Sequence, residues 1–198
     1  MKRYLLVMAL TVLAGPALAA DKLSLTALSK YLNGLKSAQS PFTQINDDGS
    51  LSTGQLLLKR PGRMRFEYAP PESALVVAGG GTVVIHDPKS NQPPETYPLK
   101  RTPLSIILAR NVNLGRANMV VGHDFDGTAT IVTAQDPENP EAGRIELIFT
   151  DAPVQLRKWV IYDGQGSKTS VVLGALEPGV SLADTLFVTQ QDGKASDR

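Results

Sequence analysis

Beyond Gln39 the chain repeats one arrangement: a short run rich in apolar residues, in several cases at every second position, closed by Gly, Pro, Asn or Asp. Arg63 to Tyr68 ("RMRFEY") shows it most plainly, with Met64, Phe66 and Tyr68 on one side and Arg63, Arg65 and Glu67 on the other. Successive side chains of a strand point to opposite faces, so such a run specifies a strand with one dry face. Comparable runs are Phe42 to Ile45, Ser52 to Arg60, Ser73 to Ala78, Thr82 to Asp87, Pro94 to Lys100, Ala117 to Phe125, Thr128 to Gln135, Arg144 to Thr150, Leu156 to Asp163, Lys168 to Leu176 and Leu186 to Gln190. Turn signals such as "NDDGS", Pro61-Gly62, Gly79-Gly80-Gly81 and "DGQGS" divide them.

Two segments break the alternation. From Asp21 to Gln39, the apolar residues Leu25, Leu28, Tyr31, Leu32 and Leu35 follow helical spacing, with Ser24 as a candidate N-cap. This helix either packs on a sheet or covers a pocket. From Thr102 to Arg110, Thr102 as N-cap, Pro103 at the first helical position and Arg110 in the last turn mark a second helix. Its apolar residues nearly encircle the axis, so it must be well buried or close over something apolar. The fold class is therefore mainly β: about ten short antiparallel strands in one curved sheet, an open or incomplete barrel, with the helices against its concave face. Neither an internal repeat nor an interdomain linker is visible. Residues 20–190 form one expected domain, and 191–198 an expected disordered tail.

The N-terminus speaks to compartment. Lys2 and Arg3 precede an apolar stretch from Tyr4 to Leu13, too short for a membrane-spanning helix, and Ala17-Leu18-Ala19 resembles a cleavage site. Residues 1–19 are expected to be a signal peptide, and the mature protein to be periplasmic. The 198-residue chain has no cysteine. That excludes disulfides, thiol chemistry, thiolate metal sites and a lipid anchor on cysteine. Without Lys2 and Arg3, 18 basic residues face 19 acidic ones. This balance argues against a nucleic-acid partner.

Reactive constellations are missing from the sequence. His86 and His123 belong to no spaced ligand cluster. "GSLSTG" and "GVSLA" do not match a G-x-S-x-G elbow, "GQGSKTS" joins two strands as a hairpin turn, and "HDFDG" lacks the distal ligands of a calcium loop. No metal, cofactor or catalytic set is assigned. The apolar inventory remains: Leu56, Leu58 and Arg60 share a strand face, and Val83 alternates with Ile85. A curved sheet with such a face packs a solid core or encloses an apolar cavity, and the residues alone favour the core. Arg60 stands out, a cation ending an apolar run.

In order and spacing, Phe42-Thr43-Gln44, Gly54, the run from Lys59 to Tyr68 ("KRPGRMRFEY"), Pro70-Pro71, "ALVVAGGGTVVIHDP", "TPLSIILARN" and "LRKWVIYDGQGSKTSVVL" resemble the outer-membrane lipoprotein carrier (LolA) family. The likeness covers nearly all of the mature chain. It implies an unclosed barrel with a helical lid over a hydrophobic cavity. It also implies acyl chains of lipoproteins as cargo, an inner-membrane ABC release complex as donor and an outer-membrane lipoprotein receptor as acceptor. The chain is then a non-enzymatic carrier, expected to act as a monomer. Rival readings are a periplasmic lipid-binding or sensor module on the same scaffold and a lipid hydrolase. Arg60 is the candidate lid latch, bonding carbonyls near Ile107 to Ala109; its alternative is a cap on a hairpin at the rim. Leu58, Met64, Phe66, Ile106, Ile107, Leu108 and Trp159 are candidate cavity or mouth residues, each with ordinary core packing as the alternative. Arg63, Arg65 and Glu67 are expected to face water or a membrane partner.

Overall fold

The structure, a computed structural model, describes residues 21–102 and 104–189. The expected signal peptide, the expected tail, Pro103 and Gln190 lie outside the described residues. Helix α1 (Leu25–Gly34) is followed by β1 (Ser37–Ile45), β2 (Leu51–Lys59), β3 (Arg63–Tyr68), β4 (Leu75–Gly79), β5 (Thr82–His86) and β6 (Glu95–Pro98). A 3-10 turn (Leu99–Arg101) and helix α2 (Leu104–Leu108) lead to β7 (Val120–Phe125), β8 (Thr130–Gln135), β9 (Gly143–Asp151), β10 (Val154–Asp163) and β11 (Lys168–Leu173). The two-residue β12 (Glu177–Pro178) and a 3-10 turn (Asp184–Phe187) follow.

All strands join one antiparallel sheet in the order β6-β5-β4-β3-β2-β1-β11-β10-β9-β8-β7, with β12 beside β1. Two meanders meet at the β1–β11 pairing, and β6 and β7 are left as edges. The sheet curls strongly. Phe66 on β3 and Trp159 on β10 are four strands apart, which in a flat sheet is about 19 Å at ~4.8 Å per strand. Their ring centroids are 5.8 Å apart, edge to face. Phe42 on β1 touches both Phe66 at 5.4 Å and Tyr68 at 5.1 Å, so an aromatic row runs across the concave face. Gly54 permits the bend: a Cβ there would lie 2.1 Å from the Glu67 carbonyl oxygen and 2.7 Å from the Phe42 ring.

Ser24 caps α1 by accepting from the Ala27 N–H at 3.1 Å, and Leu28 and Leu32 are fully buried against the sheet. The helix stops well short of Gln39. Leu35 turns extended, and Ser37 to Ser40 pair with Lys59 to Leu56 on β2, a ladder that satisfies more backbone than another helical turn. The second helix is also shorter than expected. Thr102 donates its N–H and hydroxyl to Leu99 O, closing the preceding 3-10 turn, and α2 ends at Leu108. The expected strand at Leu186 is instead part of the last 3-10 turn. Side chains hold it: Arg63 pairs with Asp184 at 2.5 Å, Lys59 with Asp184 at 2.6 Å, and Arg65 donates to Leu186 O at 3.0 Å. Arg65 also pairs with Glu67 at 2.5 Å. Arg63 and Arg65 on the polar face of β3 thus reach the protein's own C-terminal segment, while both of them and Glu67 keep part of their surface in water.

Candidate functional site

The chain between β6 and β7 must cross from one free edge of the sheet to the other. Residues 99 to 119 make that crossing, so the 3-10 turn and α2 lie over the seam of the unclosed barrel. Leu99, Ile106, Ile107 and Leu108 turn inward and join the core cluster. Beneath the lid is a cavity of about 270 Å³. Its walls are Phe66, Tyr68, Val76, Val83, Ile85, Ile145, Trp159, Ile161 and Val171, with Leu104 and Thr102 from the lid and Gln44 and Tyr97 at its margins. Tyr68 donates its hydroxyl to Gln44 Oε1 at 2.7 Å, and burial raises the phenol pKa above its ordinary value. A neutral, hydrogen-bonded hydroxyl leaves the apolar wall uncharged.

Arg60 bonds the segment that leaves α2. The residue is only 6% exposed. Nη2 donates to Ala109 O, just past α2, at 2.6 Å, and Nη1 approaches Leu35 O at the end of α1 at 3.4 Å. Next to it, Gly62 N–H donates to Leu108 O at 2.9 Å, and Arg60's own N–H donates to Lys36 O at 2.7 Å. The last carbonyls of a helix have no partner within it, and here the Arg60-Pro61-Gly62 turn supplies the donors. Burial lowers the guanidinium pKa from its ordinary value, yet arginine keeps its charge in proteins. Arg60 Nε is buried without a hydrogen-bond partner among the described residues.

Leu58, Met64, Phe66, Ile106, Ile107, Leu108 and Trp159 all belong to one buried cluster. Of these, Phe66 and Trp159 line the cavity; the other five pack around it. Sequence reading passed over Gln44, Val76, Ile145, Ile161 and Val171. Strand register could have found them, because Gln44, Val171 and Trp159 form one inward row, and Phe66, Val76 and Ile85 another. The two histidines lie apart from the cavity: His86 is exposed on β5, and His123 Nε2 meets Leu23 O at 2.8 Å. Asp163 accepts from the Gln165 and Ser167 N–H groups in the β10–β11 turn, and Asp126 from Thr128 and Ala129. Those loops use their carboxylates to close turns.

These features define a lidded, incomplete antiparallel β-barrel around an apolar cavity. Residues 33–190 match the family described as "Outer membrane lipoprotein carrier protein LolA", and the chain belongs to that family. It is 26% identical to the outer-membrane lipoprotein carrier protein of Azotobacter vinelandii, over 97% of this chain and 93% of the relative. It is 29% identical to the protein of that name from Coxiella burnetii, over 82% of this chain and 80% of the relative. Among solved structures it is similar to a LolA superfamily protein from Nitrosomonas europaea, with TM-score 0.44, 11% identity, and 88% and 100% of the two chains covered. No helix among the described residues is long and apolar enough to cross a membrane.

Proposed function

We propose that this protein is a periplasmic carrier that shelters the acyl chains of lipoproteins under its lid and takes them from the inner to the outer membrane. The observation that carries the reading is the apolar cavity at the barrel seam, beneath a crossing segment to which the buried Arg60 is bonded. The names of the relatives, outer-membrane lipoprotein carrier proteins, support it. Residues 1–19 would be removed on export, 20–190 would act as one carrier domain, and 191–198 would be a tail. The chain would work as a monomer between an inner-membrane ABC release complex and an outer-membrane receptor, without cofactor or covalent step.

Apolar surface costs about 0.8 kcal/mol per methylene in water, so a bare sixteen-carbon chain costs on the order of 12 kcal/mol. A carrier must cover that surface and still let go. The cavity of about 270 Å³ falls below the roughly 300–1,000 Å³ of ordinary ligand pockets. Loading therefore lifts the lid and breaks the Arg60 bonds, and re-forming them favours release. Apolar cavity side chains also suit a free lipid, the cargo of the rival module. The test is mass spectrometry of the protein recovered from periplasm. Bound triacylated protein supports the carrier; phospholipid alone supports the rival; a protein that neither carries nor takes up acyl chains refutes both.

A further inference from the structure

The segment that leaves the lid is held by a second set of contacts, unrelated to Arg60. Asn33, on α1, takes both backbone groups of Val112: its Oδ1 accepts the Val112 N–H at 2.9 Å and its Nδ2 donates to Val112 O at 2.8 Å. Ser29, one turn earlier, accepts the Leu114 N–H at 3.0 Å and donates its own hydroxyl to Leu25 O at 2.6 Å. The side chains of Val112 and Leu114 are buried in the core cluster. An asparagine amide carries a donor and an acceptor side by side, so Asn33 binds Val112 as a neighbouring strand would. Ser29 and Asn33 are four residues apart and so share one helix face. That face meets Val112 and Leu114, both buried, with the exposed Asn113 between them.

Ala109 O is bonded to Arg60, and the Val112 N–H is bonded to Asn33. Arg110 and Asn111, both exposed, join the two contacts. We propose that Asn33, assisted by Ser29, is the pivot of the lid: α2 lifts about Arg110 and Asn111 while Val112 to Leu114 stay fixed to α1. The proposal rests on the reading of α2 as a lid that opens. Arg60 then bridges the two bodies. Its contact to Leu35 O belongs to the fixed α1, and its shorter contact to Ala109 O belongs to the moving lid. Asn33 is a positioning residue, acting on cargo through the backbone of the lid's exit.

Site-resolved amide exchange on the intact protein tests this, because three N–H groups report separately. Gly62 reports the lid contact, through Leu108 O, while Val112 and Leu114 report the pivot. Two conditions open the lid: saturation with a synthetic tripalmitoyl-cysteinyl peptide, and the Arg60→Leu variant without ligand. The expected result in either is at least a tenfold loss of protection at Gly62, with Val112 and Leu114 changed less than twofold. Loss of protection at all three together overturns the pivot, and so does unchanged protection at Gly62 in both conditions. If the peptide does not bind but Arg60→Leu gives the expected pattern, the pivot stands and the cargo reading falls. Asn33→Leu, checked for a native melting transition, should couple Leu114 to Gly62 so that both open together. Asn33→Asp, which keeps the acceptor for the Val112 N–H but sets a carboxylate oxygen against Val112 O, should couple them as well; separation kept in either variant overturns the role of the amide.

Discussion

Replacing Arg60 with leucine separates a latch from a rim cap, because the two roles predict opposite balances of stability and release. The Ala109 contact, at 2.6 Å, is a hydrogen bond from a charged donor, a type that contributes about 1.5–3 kcal/mol net. The Leu35 contact, at 3.4 Å, is beyond the usual range of roughly 2.7–3.2 Å and adds little. Arg60→Leu should therefore weaken closure by about 1.5–3 kcal/mol, a shift of roughly 10- to 150-fold in the open-to-closed ratio. Global stability should change far less. The substitution also removes Nε, a buried donor with no partner among the described residues, and an unpaired buried donor itself costs about 1–3 kcal/mol.

The assay is built into the molecule. The single tryptophan, Trp159, lines the cavity and is 2% exposed, so its emission should change when an acyl chain enters. Titration with the tripalmitoyl-cysteinyl peptide gives affinity, and chase with unlabelled vesicles gives the release rate. With closure weakened, the variant should bind roughly 10- to 150-fold more tightly and release correspondingly more slowly. Wild-type loading and release rates in Arg60→Leu would refute the latch. A large fall in Tm with unchanged release would identify Arg60 as a structural cap on the β2–β3 hairpin.

Cavity wall and core should respond differently. Ile85→Trp, which fills part of the cavity, should lower acyl affinity with little change in Tm, whereas Met64→Ala, in the core beside it, should cost about 2–5 kcal/mol of stability; matched effects on both quantities would contradict the placement. Gly54→Ala sets a Cβ 2.1 Å from a ladder carbonyl and should cost about 1–3 kcal/mol or more, read as a lowered Tm; a wild-type Tm would mean the bend does not depend on Gly54. The hydrogen bond and charge of Lys59, with Arg63, hold the Asp184 carboxyl below its ordinary 3.8. Its contribution is then complete above about pH 3.8 and lost as pH falls through the depressed value, so the C-terminal segment should loosen only below that pH. Amide shifts near Leu186 followed through an acid titration check this, and an identical midpoint in Asp184→Asn would assign the transition to another group.

The dry face of β3 was legible because period two is a local property: Met64 and Phe66 point inward whatever the rest of the chain does. Which of them meets the cavity was not legible. That depends on how far the sheet curls, and the curl is set by Gly54 and by contacts such as Phe66 to Trp159, which join distant parts of the chain. Arg60 announced itself as a charge at the end of an apolar run. Its main acceptor, Ala109 O, lies among the carbonyls near Ile107 to Ala109 that the family resemblance pointed to; it is 49 residues away and a backbone atom, so the side-chain pattern alone could not single it out. The helix boundaries slipped for a related reason. Leu35 to Ala38 suits helix or strand, and pairing with β2 decides the matter; Thr102 has the chemistry of an N-cap but spends its hydroxyl on Leu99 O.

The place of the lid has a topological cause rather than a local one. Two meanders joined at β1–β11 leave their outermost strands, β6 and β7, as edges that face across a gap. These strands are consecutive in sequence, so the chain between Pro98 and Val120 has no route except across that gap. A polar crossing would leave the barrel open to water. Leu99, Ile106, Ile107 and Leu108 make it apolar, so burial draws the crossing down onto the opening. An incoming acyl chain offers these side chains replacement apolar contact, so much of that burial is kept on loading. On the proposed latch, what loading must break is the Arg60 contact. A guanidinium bonded to one good carbonyl, with Nε unpaired among the described residues, would hold the closed state by a margin that an incoming apolar chain can exceed. On this argument the imperfect pairing of Arg60 is what makes the lid openable.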